Sequence, residues 1–189
     1  MNTIASPKKQ PHLVRERLLE AAAGLVVEHG LANLTLDAVA REAGVSKGGL
    51  LHHYPNKKAL ISGLNDIVLE RFGALIMAFA DKDPDPHGRF TRAYLMVSAE
   101  TERTTDETLS AIMTLAMSKD AELRRQWQDR INDLARRYGE EEASPRMWIV
   151  RHAADGLWLA AISGSPEHSP ELHCAIVSRL LEMTRVEKH

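Results

Sequence analysis

Residues 35–60, TLDAVAREAGVSKGGLLHHYPNKKAL, decide the fold, and their oddest feature is the pair Gly48-Gly49 near the front of a segment with helical spacing. Each interior glycine costs a helix roughly 1 kcal/mol relative to alanine. Two short helices are readable in this stretch. Thr35 can cap the first, Asp37 favours its first turn, and Gly44 can close it in the left-handed conformation. Ser46 can cap the second, and Tyr54-Pro55 stops it, because the residue before a proline resists the helical region. The link EAGVS is then the tight, glycine-bearing turn of a helix-turn-helix, with Ala38, Val39 and Ala43 expected to pack against Leu50 and Leu51.

Such a unit lays its second helix in a DNA major groove with its N-terminal residues towards the base edges. That placement predicts Ser46, Lys47, Gly48 and Gly49 at the DNA, where two missing side chains let the backbone come close. Lys47 can reach a base edge or a phosphate, and His52, His53 and Tyr54 can donate to phosphates. Asn56 and Lys57 open the next helix, whose free N–H groups and dipole already favour an anion. A flexible turn with two solvated histidines is the plainer reading of GVSKGG alone; the flanking TLDAVAREAG and YPNKKAL argue against it. A nucleotide-binding loop fits badly, since Leu50 follows Gly49 where a lysine is required and no strand precedes.

Residues 13–61 resemble the N-terminal DNA-binding domain of the tetracycline-repressor (TetR) family of bacterial regulators. Thr35, Val39, Ala40, Ala43, Gly44, Val45, Ser46, Gly48, His53, Lys57 and Leu60 stand at the positions of that family's motif. Leu51 stands where the family often carries a phosphate-contacting tyrosine, Tyr54 replaces the usual phenylalanine, and Gly49 replaces threonine, alanine or serine. The resemblance implies phosphate roles for His53, Tyr54 and Lys57, with Thr35 also on the DNA side, and groove proximity for residues 46 to 49. It further implies a double-stranded DNA operator, a small-molecule effector, and a homodimer formed through the last two helices.

Outward from the motif, the chain reads as all-α, with about nine helices. Pro11 suits a first helical position, and Val14, Leu18, Ala22, Leu25 and His29 follow at helical spacing until Gly30. Asn56 can cap a long fourth helix whose expected buried face is Leu60, Leu64, Ile67, Val68, Leu75 and Phe79. The stretch DKDPDPHG ends it. Phe90, Ala93, Tyr94 and Val97 mark a fifth helix. Thr104 and Glu107 form a capping box before Leu109, Ile112, Met113 and Ala116. Ser118 is the expected cap of the helix carrying Leu123, Trp127, Ile131, Leu134 and Tyr138. Ser144-Pro145 and Ser169-Pro170 start the last two. The expected organisation is a flexible tail at 1–10, a helix-turn-helix DNA-binding domain at 11–57, and a helical ligand-binding and dimerisation domain at 58–189.

Composition is that of a globular chain, with 44% apolar and 26% charged residues. Residues 1–60 carry eight Lys/Arg against five Asp/Glu, and the remainder sixteen against twenty-one, so only the front suits an anionic partner. The opening residues lack the apolar core of a signal peptide, no apolar run approaches a membrane span, and Cys174 is the single cysteine; a cytoplasmic, membrane-free protein is expected.

In the second domain, Tyr94, Met96, Met113, Met117, Trp127, Trp148 and Trp158 could line an adaptable apolar pocket or serve as ordinary core. Arg151, His152 and Asp155 could orient a polar ligand group or form an internal hydrogen-bonded network. Leu157 and Ala161 in the penultimate helix, with Leu172, Ile176, Leu180 and Met183 in the last, could form a two-fold interface or complete the core. The histidines have no metal-ligand spacing, and no cofactor motif or catalytic grouping is readable, so neither metal, cofactor nor enzymatic activity is expected. Two alternatives remain at this point: a DNA-binding regulator controlled by a protein partner, and a helical carrier or enzyme that does not bind DNA.

Overall fold

The computed structural model describes residues 11–99, 105–140, 143–163 and 169–185. The described residues form nine α-helices and no strand: α1 (Pro11–His29), α2 (Leu36–Glu42), α3 (Lys47–His53), α4 (Lys57–Ala80), α5 (Arg89–Ser98), α6 (Thr105–Met117), α7 (Ala121–Arg137), α8 (Pro145–Ser163) and α9 (Pro170–Met183). None is long and apolar enough to cross a membrane. The tail 1–10 and the cap Thr104 lie outside the described residues, as does the side chain of Glu107.

Side-chain caps set most of the helix starts. The Thr35, Ser46 and Asn56 side chains accept from the N–H groups of Ala38 (3.2 Å), Gly49 (3.1 Å) and Ala59 (2.8 Å). Ser169 accepts from Leu172 N–H at 3.3 Å and Ser144 from Met147 N–H at 3.4 Å, each just before its proline. The expected cap at Ser118 is displaced. Asp120 starts α7 by accepting from Glu122 and Leu123, while the Ser118 hydroxyl donates back to the Leu115 carbonyl and helps end α6. A carboxylate is the better acceptor at a helix N-terminus, where the dipole also favours its charge.

Two apolar clusters share α4. The first joins Leu18, Ala22 and Val26 of α1, Val39 and Leu50 of the helix-turn-helix, Leu60, Leu64 and Val68 of α4, and Leu109, Met113 and Met117 of α6. It therefore extends past residue 57. The second joins Ile76 and Ala80 of α4 with Phe90 and Leu95 of α5, Leu134 of α7, Val150 and Ala154 of α8, and Leu180 of α9. The expected inner face of α4 holds only in its first half. Leu75 and Phe79 are 52% and 40% exposed, and Ile76 and Ala80 point inward instead. The stripe advances in steps of four through Leu60, Leu64, Val68, the half-buried Phe72, Ile76 and Ala80, one residue out of phase with Leu75 and Phe79.

Two buried ionic clusters fasten the second half. Gly139, at φ 71°, ends α7, and the Glu140 N–H bonds back to the Ala135 carbonyl at 2.8 Å. This turn aims the Glu140 carboxylate at the start of α5, where it accepts from the N–H groups of Phe90 (2.7 Å) and Thr91 (3.2 Å) and from the Thr91 hydroxyl (2.6 Å). Arg151 of α8 completes the cluster, donating to Glu140 at 2.9 Å and to the Thr91 hydroxyl at 2.9 Å. Arg92 of α5 is the second anchor. It donates to the Asp83 carboxylate, to the His87 and Asp85 carbonyls, and to the Thr184 hydroxyl, binding the 81–88 loop and the end of α9. Burial works to raise the Asp83 carboxyl, but the Arg92 guanidinium holds it below the usual carboxylate range.

Removing one member of a buried ion pair leaves the other charged and desolvated. Glu140→Ala is therefore expected to lower the unfolding free energy by about 3–5 kcal/mol in a denaturant titration, and the paired Glu140→Leu/Arg151→Met replacement to recover only part of it, because the Phe90 and Thr91 N–H groups still lose their acceptor.

Candidate nucleic-acid interface

The helix-turn-helix is held from behind by α1. The Ala43 N–H bonds to the Val39 carbonyl and the Val45 N–H to the Ala40 carbonyl, both at 2.9 Å. Gly44 sits at φ 61°, a conformation that costs other residues about 1–2 kcal/mol. The Arg17 side chain of α1 donates to the Ala43 carbonyl, which satisfies the end of α2. Val39, Ala40, Ala43 and Leu50 are buried within this unit.

Leu51 is not part of that core. It is 38% exposed, whereas Leu50 is fully buried, so the packing on Val39 and Ala43 falls to Leu50 alone and Ala38 stays outside the cluster. Successive side chains of a helix lie about 100° apart, and only one of two adjacent leucines can face inward. The outer surface of α3 then consists of Lys47, Gly48, Leu51 and His52, with Gly49 and His53 half-buried. Thr35 and Ser46 are exposed beside it. A Cβ added to Gly48 would meet nothing within 4 Å, so no internal contact demands glycine there. At Gly49 a Cβ would stand 3.0 Å from a Val45 methyl and 3.2 Å from the Ser46 hydroxyl.

The charged groups are partly engaged within the chain. Lys47 Nζ lies 2.9 Å from Asp37, an ion pair with both side chains well exposed, which brings the starts of α2 and α3 together. Lys57 Nζ donates to the Ala32 carbonyl at 3.1 Å, tying the start of α4 to the turn after α1. Such exposed pairs contribute only about 0–1 kcal/mol, so a phosphate can displace them. His52 and His53 rings meet edge to face at 5.3 Å.

Tyr54 differs from its neighbours. It is only 4% exposed, and its hydroxyl accepts from Arg15 Nε at 3.0 Å. Its ring edge rests on Gly63, where a Cβ would come within 2.9 Å of Tyr54 Cε1. Burial pushes the phenol above its ordinary value, with Arg15 pulling the other way. Tyr54, expected among the phosphate donors, is instead buried under α3 as a support, and its signal in the sequence is Gly63, nine residues on.

Phe72, which the sequence reading passed over, has its ring centroid 5.6 Å from that of Tyr94 and 5.1 Å from that of Trp127. Tyr94 donates to Asp155 at 2.5 Å; burial first, and then that carboxylate, push its phenol strongly upward. Met113 and Met117 are buried in the first cluster. Met96 and Trp158 are half-buried. Arg151 is committed to Glu140; burial lowers its guanidinium and the carboxylate opposes that. Trp148 and His152 stack at 5.5 Å on the exposed side of α8. Of the six residues expected at an interface, Leu172 is 49% exposed, Ala161 is half-buried, Leu180 is buried, and Leu157, Ile176 and Met183 pack against the second cluster. Asn65 and Arg130 were also missed. Asn65 is 1% exposed and donates to Gln126 at 2.9 Å, which in turn donates to Ser62, while Asn65 Oδ1 and Arg130 Nε are buried without a hydrogen-bond partner. Among the described residues no His, Cys, Asp and Glu cluster could hold a metal ion.

The model of the bacterial regulatory proteins of the tetR family matches residues 18–64, and that of the tetracyclin repressor-like C-terminal domain matches residues 88–185. The HTH-type transcriptional regulator BetI of Escherichia coli (strain SE11) is 26% identical over 182 residues, covering 84% of this chain and 88% of BetI. A solved structure of a TetR-family member from Streptomyces coelicolor A3 superposes with a TM-score of 0.69 at 22% identity, over 88% of this chain and 97% of that one. The multidrug binding protein EbrR, solved with imidazole, superposes with a TM-score of 0.70 at 20% identity over the full length of both.

The packing of Tyr54 on Gly63 is open to test. Gly63→Ala should push the tyrosine ring outward and lower stability by about 1–3 kcal/mol in thermal or chemical unfolding; Tyr54→Phe, which loses only the Arg15 hydrogen bond, should cost about 0.5–1.5 kcal/mol.

Proposed function

The chain belongs to the tetR family of bacterial regulatory proteins, and we propose that it is a cytoplasmic, homodimeric repressor that leaves its operator when a small molecule binds the helical body. The observation that carries the reading is the outer surface of α3, a thin, exposed face of Lys47, Gly48, Leu51 and His52 on a helix-turn-helix whose Gly44 adopts the required left-handed turn. That face enters the major groove, with Thr35, Ser46, His53 and Lys57 on the flanking phosphates. Tyr54 acts from behind by fixing the angle of α3.

Dimerisation is supported by apolar side chains that the monomer leaves uncovered. On α8, Trp148, Ile149 and Leu159 are 47%, 55% and 53% exposed, and on α9 Leu172 is 49% exposed. A two-fold interface of these helices would bury them and set the spacing of the two reading heads to one helical turn of DNA or a multiple. A small-molecule effector is supported by the imidazole and malachite green complexes of EbrR. It is also supported by the buried, unpartnered polar atoms of Asn65 and Arg130, on helices that carry Phe72 and Trp127 as well. Buried polar atoms without partners are rare in native proteins, and a ligand is one way to satisfy them.

The DNA reading is tested by selecting binding sites from random-sequence duplexes and measuring affinity against salt. Lys47→Ala should weaken binding and reduce the slope of log K against log salt by about one. Asp37→Asn should act oppositely: freeing Lys47 from its ion pair tightens binding about two- to fivefold. Unchanged binding in both variants would remove Lys47 from the interface. For the dimer, Ile149→Asp should yield a monomer in sedimentation analysis and abolish high-affinity binding to a two-half-site operator.

A further inference from the structure

Resting on the reading of α3 as the DNA-facing helix, we propose that Leu51 determines specificity by selecting thymine, through its C5-methyl group, in each operator half-site. At 3.6 residues per turn, with Lys47 as the origin, Leu51, Gly48 and His52 fall at about 40°, 100° and 140° around α3. Gly49, His53 and Leu50 fall at about 200°, 240° and 300°. The first group is the exposed one and the second is half-buried or buried. Leu51 and Gly48 therefore occupy the middle of the outward arc, with Lys47 and His52 at its margins. Gly48 has no side chain, and its Cα faces open space. A duplex approaching this arc comes close at Gly48 and meets the branched side chain of Leu51 beside it.

The chemistry of leucine then limits which base can lie there. Leu51 has no donor or acceptor. Opposite guanine, cytosine or adenine it would strip water from ring nitrogens, carbonyls or amino groups and offer no hydrogen bond in return. The thymine methyl is the one alkyl group on the major-groove edges of the four bases. Set against Leu51, it removes apolar surface from water on both molecules. Lys47 and His52, at the margins of the arc, supply hydrogen bonds to neighbouring bases or to the backbone and hold the register.

The experiment uses the full-length protein and an operator selected from random-sequence duplexes. Each thymine of that operator is replaced in turn by deoxyuridine, which lacks only the C5-methyl. At one position in each half-site, wild-type affinity should fall about fourfold, the equivalent of one buried methyl group at about 0.8 kcal/mol. Leu51→Ala should bind more weakly than wild type and show no further loss at that position, as a double-mutant cycle requires of a direct contact. The proposal is overturned if no deoxyuridine weakens wild-type binding, or if the sensitive position is equally sensitive in Leu51→Ala. The scan on wild-type protein stands whatever the folding of the variant. A selection that enriches no sequence overturns the DNA-binding reading itself, and this assignment with it.

Discussion

One buried phenol sets the geometry of the reading head. Tyr54 closes α3, rests its ring on Gly63 of α4, and accepts a hydrogen bond from Arg15 of α1. A single side chain thereby fixes three helices against one another. The arrangement is needed because α3 has seven residues, far too few to be stable by its own propensity. A buried hydroxyl also needs a partner, and the Arg15 guanidinium supplies one while keeping its charge close to Asp66 and Glu70. Burial raises the Asp66 carboxyl and Arg15 opposes the rise, so the seam between α1 and α4 holds its charges in partial balance.

The helical body relies on a different device. Its loops are tied by buried charges rather than by apolar packing alone: Glu140 with Arg151, and Arg92 with Asp83. Glu140, Arg92 and Asp83 are each hydrogen-bonded to backbone groups as well as to an ionic partner, and Arg151 to the Thr91 hydroxyl. Such clusters add little net stability over apolar packing, but they penalise every arrangement that separates their members. Gly88, at φ 74°, shows how close the parts come, since a Cβ there would sit 2.8 Å from the Thr184 carbonyl oxygen. The 81–88 loop, α5 and the end of α9 are thus specified together.

Local signals in the sequence were legible where the chemistry is local. Thr35, Ser46, Asn56 and Ser169 cap the helices they were expected to cap, because the cap and its N–H partner lie within three residues. The helix count and the helix-turn-helix followed from the same signals. Choices made by tertiary packing were not legible. Asp120 outcompeted Ser118 by two residues. The buried stripe of α4 continued through Ile76 and Ala80, because the second half of the helix packs against a different cluster from the first. The role of Glu140 was not legible either, since nothing nearby in sequence announces Thr91 or Arg151. Leu50 and Leu51 looked equivalent, and only the rotation of α3 on its core separates the buried leucine from the exposed one.

The position of α4 constrains how such a regulator can switch. Its first half is packed into the head through Leu60, Leu64 and Val68, and its second half into the body through Ile76 and Ala80. A 24-residue helix is stiff over that span, so a shift of its body end is carried to the start, where Asn56, Lys57 and Gly63 meet the reading head. Helix α6 offers a second route, because Met113 and Met117 are embedded in the head cluster. A ligand can move the equilibrium between two head positions only by the difference in its affinity for them. Asn65 and Phe72 of α4 and Trp127 and Arg130 of α7 lie where the two clusters meet, Trp127 packing on the first and Phe72 on the second. Asn65 lies one residue from Leu64, a core member of the head, so a hydrogen bond made or lost there acts on the helix that carries α3 through Tyr54.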